Sequence, residues 1–237
     1  MDRQQRRNLK HDKFVDEIGS LSTRAKANQR LLLTITATAV ILAVLAYGIY
    51  FYRSNREQKA QQALATAIDT IESPLIPAPG AQPVPNAKFK TEPARTAAAE
   101  KQFRDLVANY GGTDASDVGN LFLARIDAGK GDVAGARAIL QKFVSDNPKN
   151  FLVSGARYSL YQLRIDNGEA PQVAQELQAE IGKSEPSLPP DSLLSLLAHD
   201  WEVQGNAEKT KETFRRIVTE FPDSPYALDA QRRMGPT

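Results

Sequence analysis

A run of 22 uncharged, mostly apolar residues, Leu31–Tyr52, constrains this chain more than any other feature. A helix of that length rises about 1.5 Å per residue and so covers the roughly 30 Å hydrocarbon core of a bilayer. A soluble helix normally keeps one polar face, whereas this run is apolar all round. The run therefore predicts a single transmembrane helix at residues 31–52.

The run does not fit a cleaved signal peptide. Thirty residues precede it, and it exceeds the usual apolar region of about 7–15 residues. The nearest A-x-A pattern, Ala63-Leu64-Ala65, lies beyond several charged residues, where a signal peptidase does not normally cut. We therefore interpret residues 31–52 as an uncleaved anchor.

The distribution of charge predicts the orientation of this anchor. Eight of the 30 basic residues and four of the 28 acidic ones precede position 31, whereas only Arg53, Arg56 and Lys59, with Glu57, follow closely after the span. The side with the larger excess of Lys and Arg stays in the cytoplasm. In a bacterium, we expect a single-pass inner-membrane protein with a cytoplasmic N-terminus and a periplasmic C-terminal domain.

The same count excludes some partners and chemistries. The 22 basic and 24 acidic residues beyond position 30 give a net charge of −2, so the basic pI of about 8.7 belongs to the tail. Anionic lipid at the inner face is a sufficient partner for such a tail, and nucleic acid is not expected. The absence of cysteine excludes disulfides, thiolate catalysis and cysteine metal sites.

The sequence predicts four segments. Residues 1–30 form a basic cytoplasmic tail, either an amphipathic surface helix or a weakly ordered segment, and residues 31–52 form the span. Residues 53–93 combine a helical extension with a loop that contains six prolines. Residues 94–237 predict helices only, because apolar residues recur at spacings of three and four with Gly, Asn and Pro stops between them. The fold class is therefore all-α.

The helical segments repeat. Tight turns at Gly131-Asp132, Gly168-Glu169 and Gly205-Asn206 are separated by steps of 37 residues. The stretch 117–150 carries Leu123, Ala124, Gly131, Asp132, Ala136, Leu140, Phe143 and Pro148. The stretch 191–224 carries Leu194, Leu197, Ala198, Gly205, Asn206, Phe214, Ile217 and Pro222. These residues resemble the tetratricopeptide repeat motif of 34 residues, which stacks helix pairs into an α-solenoid.

The resemblance extends to both sides of these stretches. A middle copy, residues 154–187, keeps Leu160, Tyr161, Gly168, Val173 and Leu177 but has its proline displaced to Pro186. The pattern Ala99-x3-Phe103-x2-Leu106-x3-Tyr110 is similar to the second helix of an incomplete copy. The segment after the span would supply its first helix, and residues 226–234 look like a capping helix.

The resemblance also implies a binding surface. In this family the first helix of each repeat lines a concave groove that binds extended peptides or helices. The corresponding positions here are Leu121, Arg125, Tyr158, Gln162, Ser195, His199 and Glu202. The alternative for any one of them is an ordinary exposed side chain.

No constellation of residues indicates catalysis, a metal site or a cofactor. His11 and His199 are the only histidines, and the glycine pairs lack the context of a phosphate-binding loop. We therefore expect a non-enzymatic protein without cofactors.

The whole layout is similar to the ancillary tetratricopeptide-type subunit family of the bacterial SecYEG translocon. That resemblance implies a scaffold that meets secreted chains or periplasmic chaperones, although the proline-rich insertion at 73–93 departs from it. The alternative is a coordinator of the cell envelope or of division, or an outer-membrane assembly factor, built from the same repeats. Ala39 and Ala43 in the span, or the repeats themselves, would allow a homo-oligomer.

Overall fold

Helices make up the regular structure of residues 29–235, the part of the chain that this computed structural model describes, apart from the side chains of Gln29 and Leu32. In chain order they are α1 (Gln29–Glu72), α2 (Glu92–Tyr110), α3 (Asp114–Gly129), α4 (Val133–Asp146), α5 (Val153–Arg164), α6 (Ala170–Ile181), α7 (Pro190–Val203), α8 (Ala207–Glu220) and α9 (Ala227–Met234). Within this range there is no β-strand, only an isolated bridge between Leu75 and Phe89. The all-α prediction is confirmed, while the predictions for the N-terminal tail lie outside the described residues.

The chain forms two compact units, residues 1–56 and 57–237. In the described part of the first unit, α1 runs without interruption, and its large apolar side chains from Leu33 to Tyr52 are exposed. Among the described residues, α1 is the one helix that is long and apolar enough to cross a membrane.

In the second unit, the helices pair as α3 with α4, α5 with α6, and α7 with α8. Gly131, Gly168 and Gly205 stand in the turns within these pairs, with φ of 84°, 91° and 72°. Such left-handed backbone is costly for any residue with a Cβ atom, which explains a glycine at every 37-residue step. The predicted repeat turns are confirmed.

The incomplete copy is also present. Ala60, Leu64 and Ala67 of α1 share a buried cluster with Phe103 and Leu106 of α2. The carboxylate of Glu57 accepts hydrogen bonds from the backbone N–H groups of residues 114 and 115, at 3.0 and 3.2 Å, and so caps α3. The second compact unit begins at Glu57 and so includes the end of α1.

Polar contacts recur at the loops that follow the first and the third pair. The side chain of Asn150 donates to Asp117 at 2.7 Å, and two repeat steps later Ser224 donates to Asp191 at 2.7 Å. Each contact fixes the loop after one pair to the first helix of that same pair. The next helix therefore starts from a defined position, which keeps the first helices side by side.

We predict that Phe103→Ala destabilises the second unit by about 3–5 kcal/mol, because it empties a fully buried site. The Phe103 ring stacks on Phe122 with a centroid distance of 4.7 Å. The matched control is Phe151→Ala, since Phe151 is 79% exposed. Urea unfolding of the full chain in detergent measures both changes, and an equal loss in the two variants would contradict this packing.

Candidate functional site

The predicted groove positions lie on the first helices of three successive pairs. Leu121, Tyr158 and Ser195 occupy one row on α3, α5 and α7, and Arg125, Gln162 and His199 occupy a second row. Within each row the positions are 37 residues apart. Glu202 lies further along α7. We call the region between the first helices of two successive pairs a junction. Equivalent positions in the two rows allow one junction to be compared with the next.

The junction between α3 and α5 is open. A cavity of about 600 Å³, called here the first cavity, lies between these helices. Its lining consists of Leu121, Phe122, Ala124, Arg125, Ala128, Leu140, Ser159, Gln162, Leu163 and Asp166. Three of the predicted groove residues, Leu121, Arg125 and Gln162, therefore meet around one space. The lining is apolar at its base, with polar groups from the exposed side chains, which is the usual composition of a binding site.

Arg125 contributes an exposed positive charge to this cavity. The residue is exposed, and among the described residues its guanidinium has no hydrogen bond, ion pair or ring contact. Arg125 and Phe122 also line a second cavity of about 760 Å³, which the end of α1, α2 and α3 enclose. Because the two residues are three apart on one helix, they form a ridge between the two cavities.

The junction between α5 and α7 is closed by side-chain contacts. The hydroxyl oxygens of Tyr158 and Ser195 lie 3.4 Å apart, and Nε2 of His199 lies 2.7 Å from a carboxylate oxygen of Asp166. Tyr226, at the start of α9, stacks on Tyr158 with a centroid distance of 6.3 Å. Glu202 accepts a hydrogen bond from Arg233 of α9 at 2.7 Å. Four of the predicted groove residues are thus engaged within the chain itself.

Side-chain size explains why one junction is open and the other closed. Helix α3 has Leu121, Ala124 and Ala128 on the side that faces the cavity. The positions 37 residues later carry the larger Tyr158, Tyr161 and Ile165, and these pack against the core of the third pair. The sequence contains this difference, but its effect on the two junctions becomes clear only when the helices are placed side by side.

A buried carboxyl on α7 was missed by sequence reasoning. Asp200 is fully buried, and it occupies the position that Leu163 has one repeat earlier. The side-chain amide of Gln204 donates to Oδ1, whereas Oδ2 has no hydrogen-bond partner among the described residues. Burial raises the pKa of the Asp200 carboxyl above its usual value.

The described residues contain no group of three or more His, Cys, Asp or Glu side chains that could hold a metal ion. Asp200 has no histidine hydrogen bond and no access to solvent. The arrangement of α3 and α5 offers a shaped surface for binding.

Comparisons with known proteins agree with this geometry. A model of the tetratricopeptide repeat-like domain matches residues 29–185, and a model of the tetratricopeptide repeat matches residues 198–224. No curated protein matches the chain. None of the matching families is catalytic.

Two solved structures are similar, both from a Podosopora anserina protein described as a kinesin light chain with nearly identical tetratricopeptide-like repeats. A point variant of that protein has 15% sequence identity and a TM-score of 0.48, over 75% of this chain and 84% of that chain. The other has 15% identity and a TM-score of 0.43, over 62% of this chain and 72% of that chain.

We predict that Asp200→Asn makes the protein more stable than the wild type at pH 7. Because its pKa is raised in the folded state, the Asp200 carboxyl contributes most to the free energy of unfolding below its unfolded pKa of about 3.9. This contribution is lost as pH rises through the folded-state pKa. The advantage of Asp200→Asn should therefore shrink as pH falls. Thermal unfolding at a series of pH values measures it.

Asp146→Asn is the matched control. Hydrogen bonding to Lys142 lowers the pKa of the exposed Asp146 carboxyl, so this variant should lose a little stability at pH 7 and show the opposite pH trend. An Asp200→Asn protein that is no more stable than the wild type at any pH in the series would contradict a raised pKa for the buried Asp200 carboxyl.

Proposed function

Because the chain belongs to the tetratricopeptide repeat-like domain family, we propose that it is a non-enzymatic scaffold, anchored in a bacterial inner membrane, that binds protein partners through the open junction between α3 and α5. The observation that carries the proposal is the first cavity, where an apolar base meets exposed polar groups and the unpaired Arg125. Stacked helix pairs of this kind bind extended segments of other proteins.

The exposed apolar surface of α1 supports the membrane anchor, and the charges on either side of the span support its orientation. Its apolar side chains from Leu33 to Tyr52 find no cover within the described structure, and exposed apolar surface of that extent is unfavourable in water. The basic residues before the span exceed those after it, which favours a cytoplasmic N-terminus and a periplasmic repeat unit.

We propose that the partners are components of the Sec translocon, periplasmic chaperones or secreted clients. A single span followed by repeats keeps a peptide-binding surface close to the outer face of the membrane, where chains leave the translocon in an extended state. An extended segment exposes the backbone and side chains that a junction between two helices can contact. The second candidate, a coordinator of the cell envelope or of division, would use the same surface for folded envelope proteins.

We predict that a photo-crosslinking amino acid at Gln162 captures translocon subunits, periplasmic chaperones or secreted chains in living cells. Gln162 is exposed and lines the first cavity, so a bound partner lies within reach of it. The same amino acid at the exposed Arg215 of α8 is the control, because α8 does not line this cavity. Mass spectrometry identifies the adducts.

Localisation separates the two candidates. A fluorescent fusion that is uniform around the membrane, together with translocon adducts at Gln162, fits the translocon scaffold. Concentration at division septa, with adducts to envelope or division proteins, would favour the coordinator instead.

The absence of cysteine makes orientation directly measurable. We predict that a membrane-impermeant maleimide labels Ser184→Cys in cells with a permeabilised outer membrane, since residue 184 is exposed in the loop between α6 and α7. Ser20→Cys, in the basic tail, should react only after lysis. The reverse pattern would contradict the proposed orientation.

A further inference from the structure

We infer that the first cavity accepts one large apolar side chain of a partner peptide, and that Arg125 selects peptides in which an acidic residue lies beside that side chain. This inference rests on the proposed function and adds the chemistry of the partner to it.

The base of the first cavity explains the apolar requirement. Ala124, Leu140 and Leu163 are largely buried there and present methyl and methylene groups. Ala124 and Ala128 leave open the space that Tyr161 and Ile165 fill at the next junction. A large apolar side chain from a partner would restore the missing packing, and burial of its surface favours binding.

The charges around both cavities explain the acidic requirement. In the first cavity, Asp166 is already engaged by His199. In the second cavity, Arg95 donates to the backbone carbonyl of Ser73, and Lys130 is paired with Glu100. Arg125 is therefore the one unpaired cation that lines either cavity in the described part of the chain. Its guanidinium suits a carboxylate, with which it can form two parallel hydrogen bonds.

Two further groups suit the backbone of an extended peptide. Ser159 and Gln162 are exposed on α5, across the cavity from Arg125. A glutamine amide both donates and accepts hydrogen bonds, as a peptide group does. The acidic residue need not be a chain end, because Arg125 is exposed rather than enclosed in a pocket that would fit only a terminus.

Negative charge elsewhere limits where the acidic residue can sit. Glu72, at the end of α1, lines the second cavity but not the first. A carboxylate placed deep in the second cavity would meet Glu72 and Glu92, whereas one at the ridge of Phe122 and Arg125 would not. The geometry thus places the apolar side chain in the first cavity and its acidic neighbour at the ridge.

The test is selection from a display library of random 12-residue peptides on the full chain in phospholipid nanodiscs, with empty nanodiscs for counter-selection. The wild type should enrich peptides that combine an aromatic or long aliphatic residue with Asp or Glu within about three positions. Arg125→Glu should enrich Lys or Arg in place of the acidic residue. An identical set of peptides from both proteins would overturn the role of Arg125.

Binding of one enriched peptide then tests the cavity. Ala128→Ile places in the first repeat the residue type that the second repeat has at Ile165, and should weaken binding at least about tenfold by filling the space. Arg125→Ala should weaken binding about tenfold, as expected for loss of a charge-assisted hydrogen bond. The controls are Ala179→Ile on α6 and Arg215→Glu on α8, both at exposed positions away from the cavity.

Three outcomes would overturn the inference. Full affinity in Ala128→Ile would show that peptides bind elsewhere, and the scaffold function would stand. A change in assembly mass on light scattering for Ala128→Ile and Arg125→Glu, without any effect on peptide binding, would assign the cavity to a second copy of the chain. No enrichment by the wild type, together with no adducts at Gln162 in cells, would remove the proposed function as well.

Discussion

The packing of each helix pair against the next is the constraint on which the rest of the structure depends. One pair cannot bury both of its apolar sides by itself. Leu140 of the first pair therefore shares a cluster with Leu163 of the second, and Leu177 of the second shares one with Leu196 of the third. The two ends need covers, which the segment from Glu57 onward and helix α9 provide. Whether a junction is open or closed follows from how completely neighbouring helices fill this shared space.

Polar contacts define the geometry of the stack more than its stability. Asn150 with Asp117 and Ser224 with Asp191 occupy equivalent places in the first and third pairs. Glu169 accepts from both Arg137 of α4 and Arg164 of α5, and thereby joins two pairs. A hydrogen bond of this kind contributes about 0.5–1.5 kcal/mol net, less than one buried phenylalanine. Such contacts instead determine which parts of adjacent helices face each other.

The local features of the fold could be predicted from the sequence, because they depend on neighbouring residues. The turns followed from glycines at 37-residue steps, and the helices from apolar spacing. The contact of α1 with α2 was also predicted, because Ala99, Phe103 and Leu106 resemble the second helix of a repeat whose first helix the preceding segment would supply. The position of the groove residues on first helices followed from the family pattern alone.

The difference between the open junction and the closed junction could not be predicted in this way. It depends on Tyr226 reaching back to Tyr158, and on His199 meeting Asp166, which are contacts between residues more than 30 positions apart. Leu121 and Tyr158 occupy equivalent positions, and neither residue by itself indicates which distant side chains it contacts. The buried Asp200 was missed for a related reason, since an Asp on a polar-looking helix end predicts exposure.

The unequal junctions bear on how a tethered scaffold would work. If every junction were open, a partner could lie along the whole stack and bind tightly through many small contacts. With the α5–α7 junction closed, the proposed contact would be restricted to the junction of α3 and α5, which would make the site short. A short site favours modest affinity and rapid release. The proposed attachment to the membrane would compensate for modest affinity, because it would raise the local concentration of the site for partners in the same membrane. A closed second junction and the proposed membrane anchor would therefore serve one purpose, brief and repeated contact with segments that pass close to the membrane.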